Sequence, residues 1–113
     1  MMNQRARKIG CTNTQFTNCH GLDDINQHTT ARDMARITTE AMKNETFAKI
    51  FGTMTYEIPP TNRSEKPRKL ESGNHLMYDL VITKYNDHRV TGGMPSYSSA
   101  LAGASIAFTA EDN

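Results

Sequence analysis

Hydrophobic residues in the first half of the chain recur at helical spacing. Helix-forming residues fill positions 1–9, and Gly10 follows as a residue that commonly closes helices. A second helix is predicted after Thr30, because Asp33 completes a capping-box pattern before an apolar face. A third is predicted over Glu45–Phe51. The apolar positions assigned to these two helices are Ala31, Met34, Ala35, Ala41 and Met42, then Phe47, Ile50 and Phe51.

The second half of the chain changes to the alternating pattern of strands. Residues 53–58 (TMTYEI) predict a short strand that Pro59 and Pro60 stop. Gly103–Ala110 predicts another, with Phe108 on its buried face. Residues 61–74 are charged and rich in breakers, so they predict a solvated connection. Further apolar residues follow it at Leu76, Tyr78, Leu80, Val81 and Ile82. Helices followed by antiparallel strands predict an α+β fold.

Composition limits what this chain can be. Its 113 residues are 36% apolar and have a mean hydropathy of −0.66, which suits one domain or part of one. A formal net charge of +1 gives no basis for nucleic-acid binding. The chain contains neither a membrane-spanning run nor the apolar core of a signal peptide.

Two cysteines, Cys11 and Cys19, lie in an Asn- and Thr-rich loop. They could pair in an oxidising compartment or remain free, and the sequence leaves both states open. With His20 they supply three potential zinc ligands, but no fourth stands at the spacing that zinc sites require. No metal site is predicted.

Four segments follow one another in an informative order. They are MNQRARKIGCTNTQFTNCHGLDD, TTARDMARITTEAMKNETFAKIF, TYEIP with TNR, and RVTGG with the strand that follows SSALAG. Together they resemble the serine-type D-alanyl-D-alanine carboxypeptidases of peptidase family S11, the low-molecular-mass penicillin-binding proteins. The resemblance implies the fold of serine β-lactamases and penicillin-binding transpeptidases, a helical cluster on an antiparallel sheet. Residues 1–113 would be the middle of one such catalytic domain, truncated at both ends.

The resemblance implies three catalytic motifs. Ser-x-x-Lys carries the nucleophile and its base, Ser-x-Asn lies across the cleft, and Lys-Thr-Gly lies on the edge strand. The first two belong upstream of this chain, so residues 1–113 are expected to hold no catalytic residue. Ser72-Gly73-Asn74 spells the second motif, but it follows the helices that the motif should precede. It is interpreted as a turn.

The third motif falls on a degenerate stretch. An alignment without a gap places Met94, Pro95 and Ser96 on Lys, Thr and Gly, while a rival alignment on residues 90–92 needs extra residues. In both, the lysine is missing. Met94 has no charge, Pro95 has no hydroxyl or N–H, and Ser96 adds a side chain where substrate backbone would pass. Ser96 or Ser98 could replace the hydroxyl, so the predicted substrate-binding residues are Met94, Pro95, Ser96 and Ser98.

His20 stands close to Asp23 and Asp24, which suggests a catalytic triad. The HGLDD loop matches a family signature, however, and the family does not use histidine as its base. A structural role is preferred, in which His20, Gly21 and Leu22 hold the loop near the cleft.

The resemblance also implies a function for a full-length protein. It would remove the terminal D-alanine from peptidoglycan stem peptides through an acyl-serine intermediate, bind β-lactam antibiotics, and need no cofactor. It would act at the outer face of the bacterial cytoplasmic membrane, held by a tether outside this chain. Two alternatives remain: a non-catalytic homologue that binds wall peptide, favoured by the missing lysine, and a β-lactamase-like hydrolase of another amide or ester. The chain alone is expected to be inactive.

Overall fold

The computed structural model describes residues 1–77, 83–98 and 103–111. The described residues form three α-helices, four strands and one short 3-10 helix in an α+β arrangement, as predicted. The elements are α1 (Met2–Lys8), α2 (Ala31–Ala41), α3 (Glu45–Phe51), β1 (Thr55–Ile58), β2 (Arg68–Glu71), the 3-10 helix Thr83–Tyr85, β3 (Val90–Ser98) and β4 (Gly103–Ala110). Of the predicted apolar run, residues 78–82 lie outside the described part.

Local capping residues fix the C-terminus of α1 and the N-termini of α2 and α3. Gly10, just beyond α1, has a φ of 87°, a conformation that glycine adopts without strain. At the start of α2, the backbone N–H of Asp33 donates to Thr30 Oγ1 at 3.2 Å. At the start of α3, the N–H of Phe47 donates to Asn44 Oδ1 at 3.0 Å. The helix predictions are confirmed to within a few residues. None of the helices in the described ranges is long and apolar enough to cross a membrane.

Strand β2 corrects the prediction that residues 61–74 form only a solvated connection. It pairs antiparallel with β1, with Tyr56 opposite Leu70. Thr61 and Ser64 exchange backbone hydrogen bonds of 2.8 and 3.2 Å, which turn the chain back toward β1. All four β2 residues are exposed, so their charged side chains stay in water while their backbone groups are paired. An apolar pattern could not reveal this strand.

Strands β3 and β4 form the second antiparallel pair. Gly92 pairs with Thr109 and Gly93 with Phe108, after an irregularity between Val90 and Gly92. Phe108 is 51% exposed, whereas Thr109 is half-buried, so the predicted buried face of β4 is wrong at Phe108. Thr109 lies opposite Gly92, against which Phe51 of α3 packs. Thr109, which is smaller than Phe108, therefore lies on the face of β4 that α3 approaches.

The core of the described part is thin. Its buried apolar residues are Ala6, Cys11 and Phe51, and the Cα radius of gyration is 16.2 Å, above the roughly 13 Å typical of a compact domain of this size. The predicted apolar face of α2 is also wrong in part, since Ala31 and Ala35 are exposed. The buried residues of α2 are Asp33 and Thr38.

Asp33 is buried because its carboxylate fastens the loop after α1 to α2. Its Oδ2 accepts hydrogen bonds from Asn13 N and Thr14 Oγ1, each at 2.8 Å, and its Oδ1 accepts from Arg36 at 3.3 Å. The backbone hydrogen bond from Asn13 is the main reason that the pKa of Asp33 lies below its ordinary value. Bonds from Thr14 and the charge of Arg36 act in the same direction, against the effect of desolvation.

This lowered pKa predicts acid sensitivity. The unfolded chain holds the proton more tightly than the folded one, so Asp33 stabilises the fold fully above about pH 4 and loses that effect as pH falls further. The midpoint of urea unfolding is expected to fall between pH 7 and pH 3. Asp33→Asn should lower the pH 7 midpoint and flatten the dependence. An equally steep dependence in Asp33→Asn would contradict this role.

Candidate substrate-binding site

Three of the predicted binding residues lie together in the middle of β3. Met94, Pro95 and Ser96 pair with successive residues of β4, beginning with Met94 opposite Ala107. All three are exposed, Met94 by 57%. Ser98 ends the same strand. The gap-free alignment therefore falls on regular strand, although the binding role of these residues stays a prediction.

The pleat of β3 sends neighbouring side chains to opposite faces. Met94 and Ser96 consequently share one face, while Gly93 and Pro95 share the other. Proline lacks an N–H and occurs in sheets where its nitrogen faces an unpaired edge. Within the described ranges, β3 is paired only with β4. The edge of β3 away from β4 is therefore the one that an extended peptide could join.

The glycine pair before Met94 lets the protein's own side chains reach β3. A Cβ added at Gly92 would lie 2.7 Å from Phe51 Cδ1 and 3.2 Å from Phe51 O. A Cβ added at Gly93 would overlap Asn74 Nδ2 and lie 3.1 Å from Ala107 O. Neighbouring strand positions face opposite ways, so Phe51 and Asn74 close on the strand from its two faces.

Ser72-Gly73-Asn74 forms a bend rather than the predicted turn, and a backbone turn follows it, in which the N–H of Met77 donates to the carbonyl oxygen of Asn74 at 3.1 Å. Asn74 has no exposed surface, and its backbone N–H donates to Ser72 Oγ at 3.2 Å. Its Oδ1 accepts from the N–H of Leu76 at 3.1 Å. Sequence reasoning missed this burial; the adjacent glycines of β3 signalled a close approach without identifying the residue that makes it.

The His20 loop is held by its own polar contacts. The N–H of Leu22 donates to His20 Nδ1 at 3.2 Å, and Asn18 joins Gly21 N and Leu22 O, each at 2.9 Å. Gly21 has a φ of 79°, which favours glycine at that position. The side chain of Leu22 is 69% exposed. The placement of this loop near a cleft stays a prediction.

The two cysteines are both free thiols. Cys11 is buried and its Sγ donates to the carbonyl oxygen of Asp33 at 3.6 Å, while Cys19 is exposed. Burial, together with the charge of Asp33, raises the pKa of the Cys11 thiol.

In the described residues, no group of three or more His, Cys, Asp or Glu side chains is placed to hold a metal ion.

The fold defines the class of the protein. Helices packed with an antiparallel β3–β4 pair form part of a penicillin-binding-type α+β domain. The family model for D-alanyl-D-alanine carboxypeptidases matches residues 1–108, and the chain belongs to this family.

Known proteins support the assignment by sequence identity over short stretches and by similarity of fold. D-alanyl-D-alanine carboxypeptidase DacF of Bacillus subtilis is 34% identical over 76 residues, which are 67% of this chain and 19% of that protein. D-alanyl-D-alanine carboxypeptidase DacA of Haemophilus influenzae is 46% identical over 43 residues, or 38% of this chain and 11% of that protein. The crystal structure of the Mycobacterium tuberculosis H37Rv D-alanyl-D-alanine carboxypeptidase matches 98% of this chain with a TM-score of 0.74 and 26% identity. This chain covers 39% of that structure, so it corresponds to only part of each relative.

Proposed function

We propose that the protein containing this chain is a serine-type D-alanyl-D-alanine carboxypeptidase that trims peptidoglycan stem peptides. The supporting observation is the β3–β4 pair, which carries Met94, Pro95 and Ser96 on regular strand, and the gap-free alignment matches these three residues to the family's Lys-Thr-Gly. Within that enzyme, residues 1–113 supply the substrate-side strand and the helices behind it.

The reaction needs a nucleophile from outside these residues. A serine, deprotonated by a neighbouring lysine, attacks the carbonyl carbon of the bond between the last two D-alanines. The bond to the leaving nitrogen breaks, D-alanine departs with an added proton, and water later hydrolyses the acyl-serine ester. The part of this chain is to hold the peptide alongside β3 so that its terminal carboxylate and scissile carbonyl are placed for that attack.

The chemistry of β3 makes this recognition weak. Met94 gives no cation for the substrate carboxylate, and Pro95 gives the open edge no N–H. Ser96 is exposed on β3, and its hydroxyl, with that of Ser98, is the proposed polar contact to the carboxylate. Binding then depends on backbone carbonyl groups and these two hydroxyls.

The same strand supports a second candidate, a non-catalytic homologue that binds wall peptide. The feature that favours it is the uncharged Met94, which the gap-free alignment matches to the family's lysine. Both candidates place the protein at the outer face of the bacterial cytoplasmic membrane, with peptidoglycan as partner and a tether outside this chain. Only the first is acylated by β-lactam antibiotics.

A fluorescent penicillin separates the two candidates. The full-length protein, expressed from the complete reading frame around this chain, is expected to become covalently labelled at one serine. The 113-residue chain expressed alone should show no label, because removing a nucleophile and its base lowers rates by about a millionfold. Binding of a D-Ala-D-Ala peptide without label would favour the second candidate. Label on the isolated chain would contradict the proposed place of the nucleophile.

A further inference from the structure

Asn74 carries a polar group that its own turn does not explain. The side chain is fully buried, and its Oδ1 accepts a hydrogen bond from Leu76 N. Among the residues that the structure describes, Nδ2 has no hydrogen-bond partner. A buried amide group without a partner destabilises the fold, and such groups are rare. A turn alone would be served as well by an exposed asparagine.

The unpaired amide of Asn74 is directed at β3. Any side chain at Gly93 would overlap Nδ2, so the amide lies directly against the strand's backbone. The same bend reaches β3 again at Pro95, because a Cβ added at Gly73 would lie 3.3 Å from Pro95 Cγ. These two contacts flank Met94 on the face opposite its side chain.

We propose that Asn74 is a positioning residue for the substrate-side strand. Through its contact with Gly93, Asn74 limits movement of the β3 backbone toward one face of the sheet next to Met94. Phe51 limits movement toward the other face at Gly92. The inference rests on the proposed function, since it takes β3 as the strand beside which the peptide lies. A displacement of about 1 Å in such a strand is enough to impair substrate placement strongly.

Hydrogen exchange measures the position of β3 directly. In the protein from the complete reading frame, Asn74→Ala is expected to speed amide exchange in β3 about tenfold and leave β1 and β2 unchanged. Gly93→Ala should also speed exchange in β3, and adding Asn74→Ala should slow it again by removing the overlap. Effects that simply add in the double variant would overturn the proposed contact.

A matched control separates positioning from general destabilisation. Asn3 joins α1 to the following loop through Phe16, with hydrogen bonds of 2.8 and 2.7 Å, so Asn3→Ala removes a comparable asparagine away from β3. Asn74→Ala is expected to raise the Kd for a D-Ala-D-Ala peptide about tenfold, whereas Asn3→Ala should lower Tm and leave Kd unchanged. Faster β3 exchange with an unaltered Kd would overturn the positioning role.

Failure of the proposed function gives a different result. If the unsubstituted protein binds no D-Ala-D-Ala peptide, the functional proposal fails while hydrogen exchange still decides whether Asn74 fixes β3. If the unsubstituted protein binds the peptide and Asn74→Ala behaves like Asn3→Ala in both measurements, the inference about Asn74 fails alone.

Discussion

Met94→Lys is expected to strengthen binding of a peptide ending in D-alanyl-D-alanine by about ten- to a hundredfold. The substitution places a cation at the position that the gap-free alignment matches to the family's lysine, and a charge-assisted hydrogen bond to a carboxylate contributes roughly 1.5–3 kcal/mol. Met94 is 57% exposed, so the new ammonium group remains hydrated and the fold is little affected. Titration calorimetry of the protein from the complete reading frame measures the change.

Two controls make the Met94→Lys result specific. The same peptide ending in a carboxamide lacks the negative charge, so its affinity should not change. Met2→Lys adds the same charge at a 43% exposed position on α1 and should leave both affinities as they are. Equal gains for the acid and the amide, or a gain from Met2→Lys, would show that general electrostatic attraction rather than carboxylate recognition was measured.

The parts of the fold that were predictable depend on nearby residues. Thr30, Asn44 and Gly10 satisfy helix ends within one or two turns of chain, which is why the three helices were predicted with nearly correct bounds. Strand β2 depends on a partner some distance away and keeps its charged side chains in water. A pattern of hydrophobic positions carries no information about such a strand.

The candidate site was likewise predictable only in part. Resemblance to a family located Met94, Pro95 and Ser96, and the pairing of β3 with β4 confirms that they lie on a strand. The contact between Asn74 and Gly93 joins segments far apart in sequence, and a serine-glycine-asparagine turn is too common to suggest it. The buried face of α2 was also mispredicted in part, because Asp33 is a carboxylate whose burial depends on donors from another loop.

Phe51→Ala is expected to destabilise the protein by about 3–5 kcal/mol, a large share of the roughly 5–15 kcal/mol that keeps a domain folded. Phe51 is 6% exposed in a part of the chain with few buried apolar residues. Its ring stacks on Phe47 with centroids 5.2 Å apart and lies against Gly92 of β3. Removing it leaves a cavity between α3 and β3. Urea unfolding followed by circular dichroism measures the loss.

Ile50→Ala is the matched control, because the neighbouring side chain is 67% exposed. It should change stability by less than about 0.5 kcal/mol, as exposed substitutions usually do. Equal losses for the two variants would contradict the packing of α3 on β3.

If Phe51 supports β3 as the contacts indicate, Phe51→Leu should retain part of the stability while weakening peptide binding. The ring fills the space behind Gly92, so its shape bears on where the strand lies as well as on how much apolar surface is buried.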